Sequence, residues 1–492
     1  MAEPMATQVA PTTGEAEESL LEKIFVEGRL APTPEDRNTA REWVSVFVDQ
    51  VLTNEMKISS DTEAMLNARI AAIDQAITLQ LNEIMHHEKF QKLEASWRGL
   101  KYFVFQTETS TNLKIKVLNI SKGDLLKDLR RATEFDQSAI FKKVHDEGYG
   151  VLGGDPYAVL IGDYEFGRHP DDLEVLEKMS NLAAAAHAPL ISAASPALFN
   201  WESFTELASP RELANIFDND YYIRWRAFRE SDDSRYVGLC LPHILMRLPY
   251  GKETAPVEAF DFEEDVNGKE HNKYLWGNAA YALAARVTDA FARYEWCAAI
   301  RGVEGGGLVE GLPLHAFTSE DGDPTKKIPT EIAIPDRREN EFSRLGFIPL
   351  CYYQNTDSAA FIGTQSVQKP AVYLSDDANA NSNLSARLQY IFAISRFAHF
   401  LKAMMRDKVG SYMSREQCEI FLNQWISNYV LLDDLASQEQ KAKFPLRDAR
   451  VEVAEIPGKP GAYNAVAYLR PHFQLEELNV SLRLVAKLPV NK

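Results

Sequence analysis

The chain has 492 residues, 45% of them hydrophobic and 25% charged, and a formal net charge of −18. That length exceeds one ordinary core and predicts two or three domains, while the acidity argues against a nucleic-acid binder, whose affinity would come from neutralising phosphates. No run of about 18 apolar residues is present to span a membrane, and the four cysteines (Cys240, Cys297, Cys351, Cys418) lack the spacing of a zinc knuckle or a disulfide framework.

The start, MAEPMATQVAPTTGEAEE, has neither the basic nor the apolar region of a secretory signal, so a reducing cytoplasm is the expected compartment. Residues 1–60 read as an acidic N-terminal arm: over residues 1–36 eight acids face two bases, a net −6. Within it, Leu20, Leu21, Ile24 and Phe25 fall at helical spacing, Ser19 and Glu22 form a capping-box pattern, and Gly28 is a stop. A short helix between two Pro-rich breaks is not stable alone. It either docks on its own body or waits for a partner.

Residues 61–150 predict a long helix and a strand region. Met65, Ile70, Ile73, Ile77, Leu81, Ile84 and Met85 recur at three and four residues, so one amphipathic helix is expected from 61 to 101. NLKIKVLNI (112–120) alternates as a strand, and SKGDLLKDLRRA reopens a helix with Ser121 as its cap.

Residues 151–440 predict an α/β body. YAVLIG, DDLEVLEKMSNLAAAAHA and PLISAAS make a strand, a crossover helix and a parallel strand, a βαβ unit. Further strands are expected at 236–241, 332–334, 347–353 and 371–374, and helices at 274–300, 384–407 and 414–436. Residues 441–492 change character. ARVEVAEI and YNAVAYLR flank a Pro/Gly turn and predict a β-hairpin. The last element, LNVSLRL, places Leu478, Val480, Leu482 and Leu484 on one face of a strand, with nothing after it to close a further hairpin. This end carries nine bases against five acids, so the two ends of the chain have opposite sign.

Catalytic patterns are weak. RGVEGGGLVEGLP (301–313) lacks the Lys-Ser/Thr of a phosphate loop and the GxGxxG spacing, and reads as a flexible loop or tight bend. His86, His87 and Glu88 are adjacent rather than four apart, which suits a solvated helix face better than zinc. Asp163, Glu165, His169, Asp171 and Asp172 stand at the C-terminal end of a parallel strand, where α/β folds often place sites. Asp171 and Asp172 also open a helix, where negative charge complements the dipole. No catalytic residue, cofactor or metal is expected.

Four long stretches carry a resemblance: FQKLEASWRGLKYFV, DPYAVLIGDYEFGRHPDD, SPRELANIFDNDYYIRWRAFRESDDSRYVGLCLPHILMRLPYG and ENEFSRLGFIPLCYYQNTDSAAFIGTQS. They resemble the large sheath subunit of type VI secretion systems, the TssC/VipB family, from about residue 61 to the end. The resemblance implies a structural subunit of a contractile sheath rather than an enzyme. Its implied partners are a small sheath subunit (TssB/VipA), other copies of itself in a helical polymer, an inner tube of Hcp, a baseplate, and the AAA+ ATPase ClpV that dismantles the contracted sheath. It implies neither nucleic acid nor direct membrane insertion. It further implies that the terminal strand (Leu478, Val480, Leu482, Leu484) is donated to a neighbouring protomer, with the hairpin at 449–470 as the acceptor. Leu20, Leu21, Ile24 and Phe25 then become the disassembly-ATPase contact. The alternatives are a phage-tail-like contractile sheath protein and a cytosolic α/β enzyme using the Asp163–Asp172 cluster.

Overall fold

The computed structural model describes residues 62–208, 212–318, 322–433, 435–458 and 462–474, with helical positions at 38–39, 42–43 and 45–46. The chain divides into two units, residues 1–80 with 258–262 and residues 81–257 with 263–492. The expected helix over 61–101 is two helices, α1 (Thr62–Met85) and α2 (Glu88–Phe105). The break falls at His87, whose backbone is extended and whose ring nitrogen accepts from the Lys89 N–H. His87 is therefore an N-cap rather than part of a solvated helix face, and His86 hydrogen-bonds Glu264 at 3.3 Å. The apolar row on α1 remains open: Ile70, Ile73 and Ile77 are 41–55% exposed.

Residues 112–120, expected as a strand, form no regular element and pair with no strand among the described residues. Ser121 then caps α3 (Lys122–Arg131) by accepting from the Asp124 N–H, as the sequence predicts.

The βαβ unit forms as read: β1 (Leu160–Phe166), α4 (Pro170–Ala186) and β2 (Leu190–Ala194), with the strands parallel. β2 pairs in parallel with β3 (Val237–Leu241). After α5 (Ala280–Tyr294), β4 (Leu308–Val309) and α6 (Asp336–Arg344), the sheet is completed by β5 (Ile348–Tyr352) and β6 (Ala359–Phe361). The six-stranded order is β1-β2-β3-β5-β6-β4, parallel as far as β5 and antiparallel beyond it. Residues 332–334 and 371–374, expected as strands, join no ladder.

Both faces of this sheet are buried, which is why its central strands read as unbroken apolar runs. Leu190, Val237, Leu239 and Leu241 face a core with Phe166, Leu176, Trp225 and Phe347. Ile191, Cys240, Ile348 and Leu350 face the other, built on α5 and the start of α7 (Leu388–Lys408). The Gly-rich loop is a tight bend: the Gly302 N–H donates to Phe361 O and the Gly307 N–H to Gly302 O. Gly306 (φ 91°) has no room for a Cβ, which would lie 2.3 Å from Ala299 O.

A third core gathers Trp296, Phe397, Leu422, Ile426, Val451 and Val453. It joins α7, α8 (Arg415–Ser427) and the hairpin β7 (Leu446–Glu455) and β8 (Tyr463–Pro471). The hairpin therefore forms where the Pro/Gly turn predicts it. The architecture is α/β with mixed sheets.

Candidate assembly surface

The hairpin is a sheet of only two strands, and its two outer edges differ. In register, Val451 opposes Ala467 and Val453 opposes Ala465. Asn423 on α8 takes both outward backbone groups of Val451: its Nδ2 donates to Val451 O at 2.7 Å and its Oδ1 accepts from Val451 N at 2.9 Å. Glu419 accepts from Val453 N and Arg415 donates to Val453 O, both at 3.4 Å. At the start of β7, Leu446 exchanges hydrogen bonds with Tyr429 and Leu431. The β7 edge is thus closed by its own domain.

The β8 edge is open. The residues opposite Val451 and Val453 turn their N–H and C=O groups outward, because in an antiparallel pair such positions alternate with bonded ones. Ala465, Ala467 and Leu469 have no backbone partner on that side among the described residues. One face of β8 sits on the third core through Tyr463, Ala467 and Leu469, and the other exposes Val466 and Tyr468. After Pro471 the chain stays tied down as far as Gln474: His472 N donates to Pro445 O, Gln474 N to the Tyr390 hydroxyl, and Gln474 Nε2 to Ala298 O. The predicted donor residues Leu478, Val480, Leu482 and Leu484 lie outside the described residues, as do Leu20, Leu21, Ile24 and Phe25.

The acidic cluster at the end of β1 is divided among different cations. Asp171 pairs with Arg130, and Asp172 pairs with Lys122 at 2.8 Å while accepting from the Gly167 N–H. His169 caps α4 through Asp171 N, so these residues organise a helix start as the dipole argument predicts. Glu165 turns to His243. The His243 ring donates to Glu165 Oε1 at 3.0 Å and to Glu331 Oε2 at 2.5 Å. Glu331 is also reached by His271 Nε2 at 3.1 Å and by the Phe204 N–H at 2.9 Å. A buried triad, Arg247 with Glu264 and Glu94, lies on the side of α2. No group of three His, Cys, Asp or Glu able to hold a metal occurs among the described residues, and no described helix is long and apolar enough to cross a membrane.

An imidazole with both nitrogens on carboxylates must carry both protons. Burial opposes the charge on His243, but the bonds to Glu165 and Glu331 win and raise its pKa to about 10. Burial likewise opposes charge on Glu331, yet His243 and His271 depress its pKa to about 2. The linkage signs follow. His243 stabilises fully below its unfolded value of 6.5, and this is lost as pH rises toward its folded value. Glu331 stabilises fully above 4.5, and this is lost as pH falls toward its folded value. Thermal stability is expected to be greatest between pH 4.5 and 6.5. The alkaline limb should fall by at most about 1.4 kcal/mol per pH unit for this one group, and His243→Asn should flatten it. Melting curves from pH 5 to 9 with identical slopes in both proteins would remove the charge from His243.

Residues 67–368 match the VipB tail sheath N-terminal domain, and residues 377–488 match the VipB tail sheath gpW/gp25-like domain. The class is that of contractile tail sheath proteins. The chain is 51% identical over 463 residues to the type VI secretion system sheath protein TssC1 of Pseudomonas aeruginosa, covering 94% of this chain and 93% of that protein. It is also similar to a chain of the anti-feeding prophage baseplate (TM-score 0.36, 8% identity, 64% of this chain and 66% of that chain). A chain of the contracted PVC sheath, an extracellular contractile injection system, gives a TM-score of 0.34 at 8% identity over 63% of this chain and 68% of that chain. The chain belongs to the VipB/TssC family of type VI secretion sheath proteins and is a contractile sheath subunit.

Proposed function

We propose that the chain polymerises in the cytoplasm with other copies of itself and with a small sheath subunit (TssB/VipA). The polymer surrounds an Hcp tube on a baseplate and contracts to drive that tube into a target cell. The role is structural and non-enzymatic. The observation that carries it is the open β8 edge on an otherwise well-packed C-terminal domain. An unpaired edge is a template for another strand, and a strand donated by a neighbour supplies backbone hydrogen bonds for attachment and alternate side chains for register. Leu478, Val480, Leu482 and Leu484 of one protomer are the donor face, and Ala465, Ala467 and Leu469 of the next are the acceptor edge. Attachment through a donated strand lets subunits rotate during contraction while the joint holds. Negative-stain electron microscopy of the chain co-expressed with its small partner tests this: tubes are expected, and only small soluble complexes would overturn it.

The disassembly ATPase ClpV is assigned to the N-terminal arm, at Leu20, Leu21, Ile24 and Phe25. Replacing Leu21 and Phe25 by Ser should abolish ATPase binding in a pull-down and leave tube formation intact. Loss of tubes as well would return these residues to the chain's own packing.

A further inference from the structure

The second and third cores do not close completely on each other. A cavity of about 30 Å³ lies between α5 and α7. Val287, Trp296 and Cys297 wall it from the tail sheath N-terminal domain, and Phe392, Arg396 and His399 from the gpW/gp25-like domain. Arg396 and His399 stand three residues apart on α7, so they share a face. His399 is only 3% exposed. Its Nε2–H donates to Ala186 O at 2.8 Å, which leaves Nδ1 as a lone-pair acceptor. Burial keeps this ring neutral, with its pKa lowered to about 4. No donor reaches Nδ1 among the described residues. The Arg396 guanidinium is stacked 4.5 Å over the Phe400 ring, and its buried Nε–H has no acceptor among the described residues. One buried acceptor and one buried donor thus stand unused beside the same cavity, where native proteins pair such groups, with ordered water if need be.

We propose that this cavity is a binding site for one ordered water, which accepts from Arg396 Nε–H and donates to His399 Nδ1. Size and chemistry select the ligand. The volume exceeds the roughly 10–15 Å³ that one water requires and is far below the roughly 300 Å³ of a small-molecule pocket. A metal ion is opposed by the Arg396 charge. An anion would face the bare lone pair of His399 Nδ1. Water alone can turn an oxygen to the first group and a proton to the second. The Cys297 thiol is the third polar group on the wall and a weak partner. Burial pushes it up to about 12, so it stays protonated and offers Arg396 no counter-charge. Three partners are the usual number for a buried water. Cys297 belongs to one domain and Arg396 and His399 to the other, so the water is a polar bridge across the seam between them. The site is a property of the single chain, whatever that chain assembles with.

A density map of the intact chain, sharp enough to show ordered water, tests this directly. A single peak is expected within hydrogen-bonding distance of both Arg396 Nε and His399 Nδ1. An empty cavity would overturn the site, and so would a direct bond between the two side chains. Crystals grown with bromide in place of chloride, and crystals held under xenon, separate the other occupants. Bromide at this position would mark an anion and xenon a dry apolar void; either would overturn the water. Melting curves give an independent test. Arg396→Met and His399→Leu should each lower the melting temperature by about 2–4 °C. The double variant should fall by less than the sum, because the first change already strips the water of a partner that the second would have cost it. The Phe400 stacking and the Ala186 bond, lost in one variant each, are separate contacts and would simply add. Strict additivity would therefore overturn the bridge, even if both single variants are destabilised.

Discussion

Truncation after Gln474 is expected to abolish tubes while leaving a folded chain that still binds the small sheath subunit. The position of the cut matters. Residues 471–474 belong to the body, because Pro471 ends β8 opposite Leu446 and Gln474 is bonded to Tyr390 and Ala298. Removing them would loosen the acceptor and the donor together. A cut after Gln474 removes only the proposed donor, so the open edge of Ala465, Ala467 and Leu469 remains formed but would be offered no strand. In the proposed polymer the joint is a run of backbone hydrogen bonds repeated at every subunit, so its loss would act throughout the lattice. Pro substitution at Ala467 should reproduce the defect from the acceptor side, since that residue's N–H is directed at the incoming strand. Tubes of normal length from the truncated chain would return the terminal strand to its own domain. Short tubes whose number rises with protein concentration would show a weakened joint, the result expected if contacts elsewhere share the load.

Much of this architecture is legible in the sequence, and the gaps have physical causes. The βαβ unit was readable because β2 is buried on both faces and β1 opens on an apolar run before the exposed Asp163 and Glu165. The hairpin was readable because a Pro/Gly turn separates two alternating stretches. Residues 371–374 share the apolar character of a strand but make no ladder, with Val372 and Leu374 exposed; hydropathy reports character, not pairing. The same limit explains residues 112–120, where the period of two was present and the neighbour was not. The break between α1 and α2 has no Gly or Pro to announce it; a histidine ring nitrogen supplies the cap. Which hairpin edge is open was invisible, because it depends on Asn423 lying against Val451, a pairing 28 residues apart with no periodic signature. An Asn in the middle of a predicted helix was the one available hint, since such a residue has a carboxamide to satisfy.

The largest loss of stability in the body is expected from Glu331→Ala. Glu331 is buried and holds three donors at once: His243, His271 and the Phe204 N–H. Its partners come from the loop after β3, the segment before α5 and the turn that follows β2, so a single carboxylate ties together three connections that lie 60, 88 and 127 residues before it in the sequence. Removing it leaves the charged His243 with only the half-exposed Glu165 and strips the Phe204 N–H of its acceptor. Breaking a buried pair from one side costs about 3–5 kcal/mol, because the orphaned charge stays buried. For a domain of this size that corresponds to a fall of about 5–10 °C in melting temperature. Glu331→Gln keeps an acceptor for Phe204 and should cost less. The double variant Glu331→Ala/His243→Ala should be more stable than the sum of the two single changes predicts, since it removes the orphan along with its partner. If Glu331→Ala melts within a degree of the wild-type chain, the contacts around it are surface pairs of little worth. If the two changes simply add, the imidazole is neutral and the charged knot does not exist.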